Sequence, residues 1–111
     1  MNNEQRGSPY CTIELPVLAA AAIKAYHIEA SAELAAWLKY APLDYVQITN
    51  HDDVDLKLTL DQGEWFLIPS GAIETFKNKP WRRLDIENLD AAASTTLGKV
   101  IIVVKKMAGG S

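Results

Sequence analysis

Between Val54 and Leu60 the chain alternates without a break. Val54, Leu56, Leu58 and Leu60 fall on one side, and Asp55, Lys57 and Thr59 on the other. Successive side chains of a strand point to opposite faces, so this segment has one apolar and one polar face. A slip of one residue would turn four apolar side chains to water, so the register is firmly set.

The segments around it read the same way. Tyr45 to Asn50 puts Val46 and Ile48 on one face and Gln47 and Thr49 on the other. Glu64 to Ile68 is apolar on both faces, which predicts a strand covered on both sides. Ala72 to Phe76 alternates weakly. Trp81 to Leu89 sets Leu84 and Ile86 against Arg83, Asp85 and Glu87. Val100-Ile-Ile-Val-Val104 is β-branched throughout and flanked by lysines, which predicts a central strand with charged ends that resist aggregation. Turn formers punctuate the series at Asn50–Asp53, Asp61–Gly63, Pro69–Gly71 and Asn78–Pro80, and Asp90–Thr96 is a small, polar loop or arm. Strands recurring roughly every 8–12 residues, with links too short for parallel crossovers, predict an all-β, mainly antiparallel domain. The expected architecture is a single β-sandwich or jelly-roll-like barrel.

The first half is less decided. Residues 23–29 lean toward strand. Residues 31–41 fit a short helix, with Ser31 as N-cap, Glu33 in the first turn and Leu34, Trp37, Leu38 and Ala41 on one stripe. The same residues fit a strand with Leu34, Ala36, Leu38 and Tyr40 on one face.

A chain of 111 residues suits one domain. Hydrophobic residues at 49% and charged residues at 23% are ordinary globular usage. The expected division is an N-terminal arm over 1–20, a sandwich over 21–107 and a tail over 108–111. The net charge of −3, with basic residues scattered apart from Arg82-Arg83 and Lys105-Lys106, argues against direct nucleic-acid binding. Cys11 is the sole cysteine, so an intrachain disulfide and multi-cysteine zinc sites are excluded. The apolar run Leu15–Ile23 falls far short of the ~20 residues of a membrane helix.

Few residues suggest chemistry. Asp52, Asp53 and Asp55 are candidates for a hard-cation site, against the preferred reading of a turn that selects Asp and Asn for backbone reasons. His27 and His51 are the only histidines, each more readily a packing or surface residue than a ligand. Ser70 lacks the glycine framing of a nucleophile elbow, Cys11 has no identifiable base, and no phosphate-cradling glycine loop is present. No catalytic residue and no cofactor is therefore expected. Aromatic side chains fill cores and anchor interfaces. Trp81, between Pro80 and Arg82-Arg83, is the first interface candidate, with Arg82, Arg83, Trp37 and Tyr10 beside it.

The order Tyr45-Val-Gln-Ile-Thr-Asn50, Asp55-Leu-Lys-Leu-Thr-Leu60, Phe66-Leu-Ile-Pro-Ser-Gly71, Trp81-Arg-Arg-Leu-Asp-Ile-Glu-Asn-Leu89 and Gly98–Lys105 resembles small β-sandwich structural proteins of bacteriophage particles, including capsid-associated and decoration-type subunits. The resemblance covers about residues 43–106. It implies a virion structural protein that contacts other capsid proteins and copies of itself, assembled in the host cytoplasm, with residues 1–20 as an arm and 31–41 as strand. Two other readings compete. One is a stand-alone binding module, for example for carbohydrate, with an exposed aromatic row. The other is a small enzyme with His51 and Asp52 or Asp53 in a pocket.

Overall fold

The computed structural model describes residues 10–107. It contains eight strands: β1 (Tyr10–Glu14), β2 (Ile23–His27), β3 (Leu43–Asn50), β4 (Leu56–Leu60), β5 (Trp65–Ile68), β6 (Ile73–Trp81), β7 (Arg83–Asn88) and β8 (Val100–Lys105). One four-stranded sheet has the order β1-β8-β3-β6 and the other β2-β7-β4-β5. Every pairing is antiparallel: β1 with β8, β3 with β8 and β6, β2 with β7, β4 with β5 and β7. The first strand thus pairs with the last, the second with the seventh, the third with the sixth and the fourth with the fifth. That is the order produced when one long hairpin is rolled up, and it makes the molecule a jelly-roll sandwich.

The core lies between the sheets and follows the alternation. Val46, Ile48, Val100, Ile102 and Val104 from one sheet face Leu56, Leu58, Leu60, Leu84 and Ile86 from the other, all buried. β8 is central, between β1 and β3, as its β-branched sequence requires. β5 is an edge strand. Its Phe66 and Ile68 turn inward, while Trp65 and Leu67 remain exposed, so the expectation that both its faces are covered is corrected.

Three further expectations change. Residues 10–14 form β1, and Leu15 and Leu18 are buried in the core, so residues 10–20 belong to the sandwich and not to an arm. Residues 1–9 and 108–111 lie outside the described residues. Asn78–Pro80 does not turn the chain. β6 runs through it to Trp81, with Asn78 at φ 59° and a register shift opposite Leu43–Tyr45. Asn tolerates left-handed backbone, and an edge strand accepts a proline and an irregularity. Residues Ala32–Tyr40 form a 3₁₀ segment, which settles the helix-or-strand question against strand. Residues three apart eclipse in a 3₁₀ helix. Leu34 is therefore buried and Trp37 half-buried on one ridge, while Leu38 points to solvent. Ser31 does not cap this segment. Its Oγ accepts the His27 N–H at 2.8 Å instead.

At one end of the sandwich four links cross between the sheets, from β1 to β2, β3 to β4, β5 to β6 and β7 to β8. Two fully buried asparagines tie them together. The Asn50 amide at the end of β3 donates to the carbonyls of Val54, Ile68 and Pro69 at 2.9–3.2 Å, and its Oδ1 accepts the Asp52 N–H. The Asn88 amide at the end of β7 donates to the carbonyls of Leu18, Ala19 and Ala93 at 2.8–3.3 Å, and its Oδ1 accepts the Asp90 N–H. Each asparagine serves two crossing links.

Candidate assembly interface

Strand register fixes which side chains share each outer surface. On the β1-β8-β3-β6 sheet the outward rows are Glu14–Ile101–Thr49–Ile73, Thr12–Val103–Gln47–Thr75 and Tyr10–Lys105–Tyr45–Lys77. Of these twelve positions only Glu14, Lys105 and Lys77 carry charge, and the middle is Ile101, Val103, Gln47 and Thr49. Lys105 lies over the Tyr45 ring at 4.3 Å, so the cations sit at one end of this face. On the β2-β7-β4-β5 sheet the rows are Ile23–Glu87–Lys57–Leu67 and Ala25–Asp85–Thr59–Trp65, with His27 beside Arg83. Here the centre is charged and the apolar side chains are at the edges. Trp65 is 58% exposed and Leu67 49%.

The sequence-predicted interface residues scatter. Trp81 is 0% exposed and packs in the core, so it offers no surface to a partner and its assignment as the first anchor is corrected. A tryptophan that follows a proline and precedes two arginines reads as a strand entrance. Here it is the last residue of β6, paired with Leu43, with its ring turned inward. Arg82 is exposed and donates from Nε to Glu29 at 2.8 Å, and Arg83 holds Asp85 through two nitrogens at 2.8 and 3.2 Å. Trp37 is half-buried against Tyr40, ring centroids 5.6 Å apart. Tyr10 is 66% exposed at the start of β1. The sequence reading missed Trp65 and Leu67, whose signal was the uncharged run Trp65–Ile68 next to a tight turn.

The acidic turn is a structural device. Asp52 is buried. Its Oδ1 accepts the Asp53 N–H at 2.8 Å and its Oδ2 the Thr96 N–H at 2.6 Å. Asp55 Oδ1 accepts the Ser70 N–H at 2.9 Å, and the Ser70 hydroxyl donates to the Asp52 carbonyl. These carboxylates fasten backbone, and among the described residues no three potential ligands converge on a metal position. Of the three aspartates named as cation candidates, Asp52 and Asp55 thus have carboxylate oxygens taken up by backbone N–H groups. Cys11 is half-buried with its thiol donating to the Glu33 carbonyl at 3.7 Å, and burial raises its pKa, the reverse of what a nucleophile needs. Among the described residues no helix is long and apolar enough to cross a membrane.

No family model, curated protein or solved structure matches this chain.

Proposed function

We propose that this chain is a structural subunit of a bacteriophage-type particle, a minor capsid, decoration or similar protein that works through contacts with other particle proteins and with copies of itself. The observation that carries the reading is the sorting of its surface. One sheet presents an outer face whose middle, Ile101, Val103, Gln47 and Thr49, is uncharged, and the other presents Trp65 and Leu67 at a sheet edge. Contiguous exposed apolar surface marks sites of interaction. The jelly-roll strand order agrees by analogy, since that architecture serves in capsid domains as well as in lectins and other families. The place of such a subunit is a virion assembled in the host cytoplasm.

Native mass spectrometry of the purified chain tests this reading. Species at multiples of the 12.2 kDa chain mass are expected. A monomer at every concentration contradicts it.

The carbohydrate-binding alternative rests on Trp65. A stacking platform is stronger with several rings on one surface, and Trp37 and Trp81 stand elsewhere, on the 3₁₀ segment and in the core. Flat tryptophan fluorescence across a broad glycan set is the expected outcome.

A further inference from the structure

Edge strands offer unpaired backbone groups, and proteins guard them with charge, proline, bulges or cover. Three of the four edges here are guarded. β6 carries Glu74, Lys77, Lys79, Pro80 and the left-handed Asn78. β2 carries Lys24, half-buried on the same side as buried Ile86. β1 ends in Glu14, and the 3₁₀ segment lies against its other end through Cys11 and Glu33. β5 reads Trp-Phe-Leu-Ile and carries no charge of its own; Lys57 lies over the Trp65 ring at 4.8 Å and Lys79 5.5 Å from the Phe66 ring, but among the described residues nothing pairs with its outer backbone edge.

Its backbone phase is also fixed. The Leu60 N–H donates to the Glu64 carbonyl, so Glu64, Phe66 and Ile68 turn their backbone toward β4. The intervening Trp65 and Leu67 then turn theirs to the free edge. The two residues with exposed apolar side chains are thus the two with free backbone donors and acceptors.

We propose that a second copy of this chain pairs with β5 across a two-fold axis through Phe66, joining two four-stranded sheets into one of eight. This rests on the assembly reading above and names its contact. In an antiparallel pair with Phe66 on the axis, Trp65 stands opposite Leu67 of the second copy. Both are then in hydrogen-bonded positions, and the symmetric arrangement closes four backbone hydrogen bonds. On the outer face the two tryptophans and two leucines form one patch, with each copy's Lys57 over its own Trp65 ring at 4.8 Å.

Charge agrees with the same axis. Phe66 packs against Phe76 of β6, the rings tilted by 39° with centroids 4.5 Å apart, so the axis passes at the height of Phe76. Glu74 precedes Phe76 by two residues and shares the core-facing side of β6, opposite Ile48. Lys79, after the irregularity at Asn78, reaches the other sheet, 5.5 Å from the Phe66 ring and 3.3 Å from Glu64. The side of the sandwich therefore runs from acid through two phenylalanines to lysine. The two-fold sets Glu74 at the height of Asn78 of the second copy, between its Lys77 and Lys79.

Sedimentation velocity on wild type, Leu67→Lys and Ile23→Lys tests the proposal. Both sites are exposed on edges of the same sheet, so both variants should keep the fold, checked by circular dichroism. Wild type and Ile23→Lys are expected to self-associate alike, and Leu67→Lys to sediment as a smaller species. A Leu67→Lys chain as large as wild type overturns the β5 contact and leaves the assembly reading standing. Wild type that stays monomeric at every concentration overturns both.

Discussion

The two ends of the sandwich are closed by different chemistry. At the end where four links cross, Asn50 and Asn88 are fully buried and their amides are fully engaged. At the opposite end Tyr26 and Trp81 are just as buried, but among the described residues the Tyr26 hydroxyl and the Trp81 indole N–H have no hydrogen-bond partner. One end is held by directed bonds to the carbonyls of otherwise irregular links. The other also has directed bonds, from the Arg82 and Arg83 N–H groups to the Asp61 carboxylate and from the His27 N–H to Ser31 Oγ, but its most deeply buried polar side chains, Tyr26 and Trp81, contribute ring volume and not bonds. Polar groups should therefore matter where they are paired and matter little, or cost stability, where they are not.

Trp81→Ala is the largest expected loss, about 3–5 kcal/mol by denaturant unfolding, because it empties a large buried volume. Trp81→Phe should cost far less, since it keeps a ring and removes an unpaired donor. A similar cost for both would mean that the indole N–H is paired in solution and would break the comparison. Asn50→Ala and Asn88→Ala should each cost about 2–4 kcal/mol, because each leaves several buried backbone groups without a partner. A cost below that of an ordinary surface substitution would show that water replaces the amide.

Tyr26 sharpens the contrast through pH. Burial, aided by the nearby Glu33 carboxylate, pushes its pKa up to about 12. The folded state then holds the phenol proton after the unfolded chain, with its ordinary value near 10, has released it. The stability from this group is complete below pH 10 and is lost as pH rises toward 12, by up to ~2–3 kcal/mol. Tyr26→Phe should abolish that alkaline step. At neutral pH the same variant should change stability by less than about 1 kcal/mol, with a gain as the expected sign, because it removes an unpaired hydroxyl.

Much of this fold was legible in the sequence. The alternation at Val46–Ile48, Val54–Leu60 and Leu84–Ile86 gave the inward face of three strands, and the β-branched run at 100–104 gave the central one. Asp61–Gly63 read as a hairpin link, and it is a three-residue link in which Asp61 and Gln62 take positive φ, 52° and 59°, and the Gly63 N–H donates to the Leu60 carbonyl. Long-range effects were not legible. The Asp61 carboxylate accepts the backbone N–H groups of Arg82 and Arg83, some twenty residues away. Asn50–Asp53 read as a solvated turn and Asn88 as part of a strand run, because nothing local tells a buried Asx turn from an exposed one. Trp81 looked exposed because its sequence neighbours are charged, yet alternation puts one ring inward between outward arginine and proline. The edge position of β5 depends on strand order, which no local pattern encodes.

The ends being closed by the chain itself, the β5 side is where the molecule is left open, and amide hydrogen exchange reads it directly. In an isolated subunit the Trp65 and Leu67 amides face water and exchange fast, while those of Phe66 and Ile68 are paired with β4 and exchange slowly. Protection of Trp65 and Leu67 should rise with protein concentration toward that of their neighbours. Fast exchange at Trp65 and Leu67 at every concentration would contradict an assembly built on this edge.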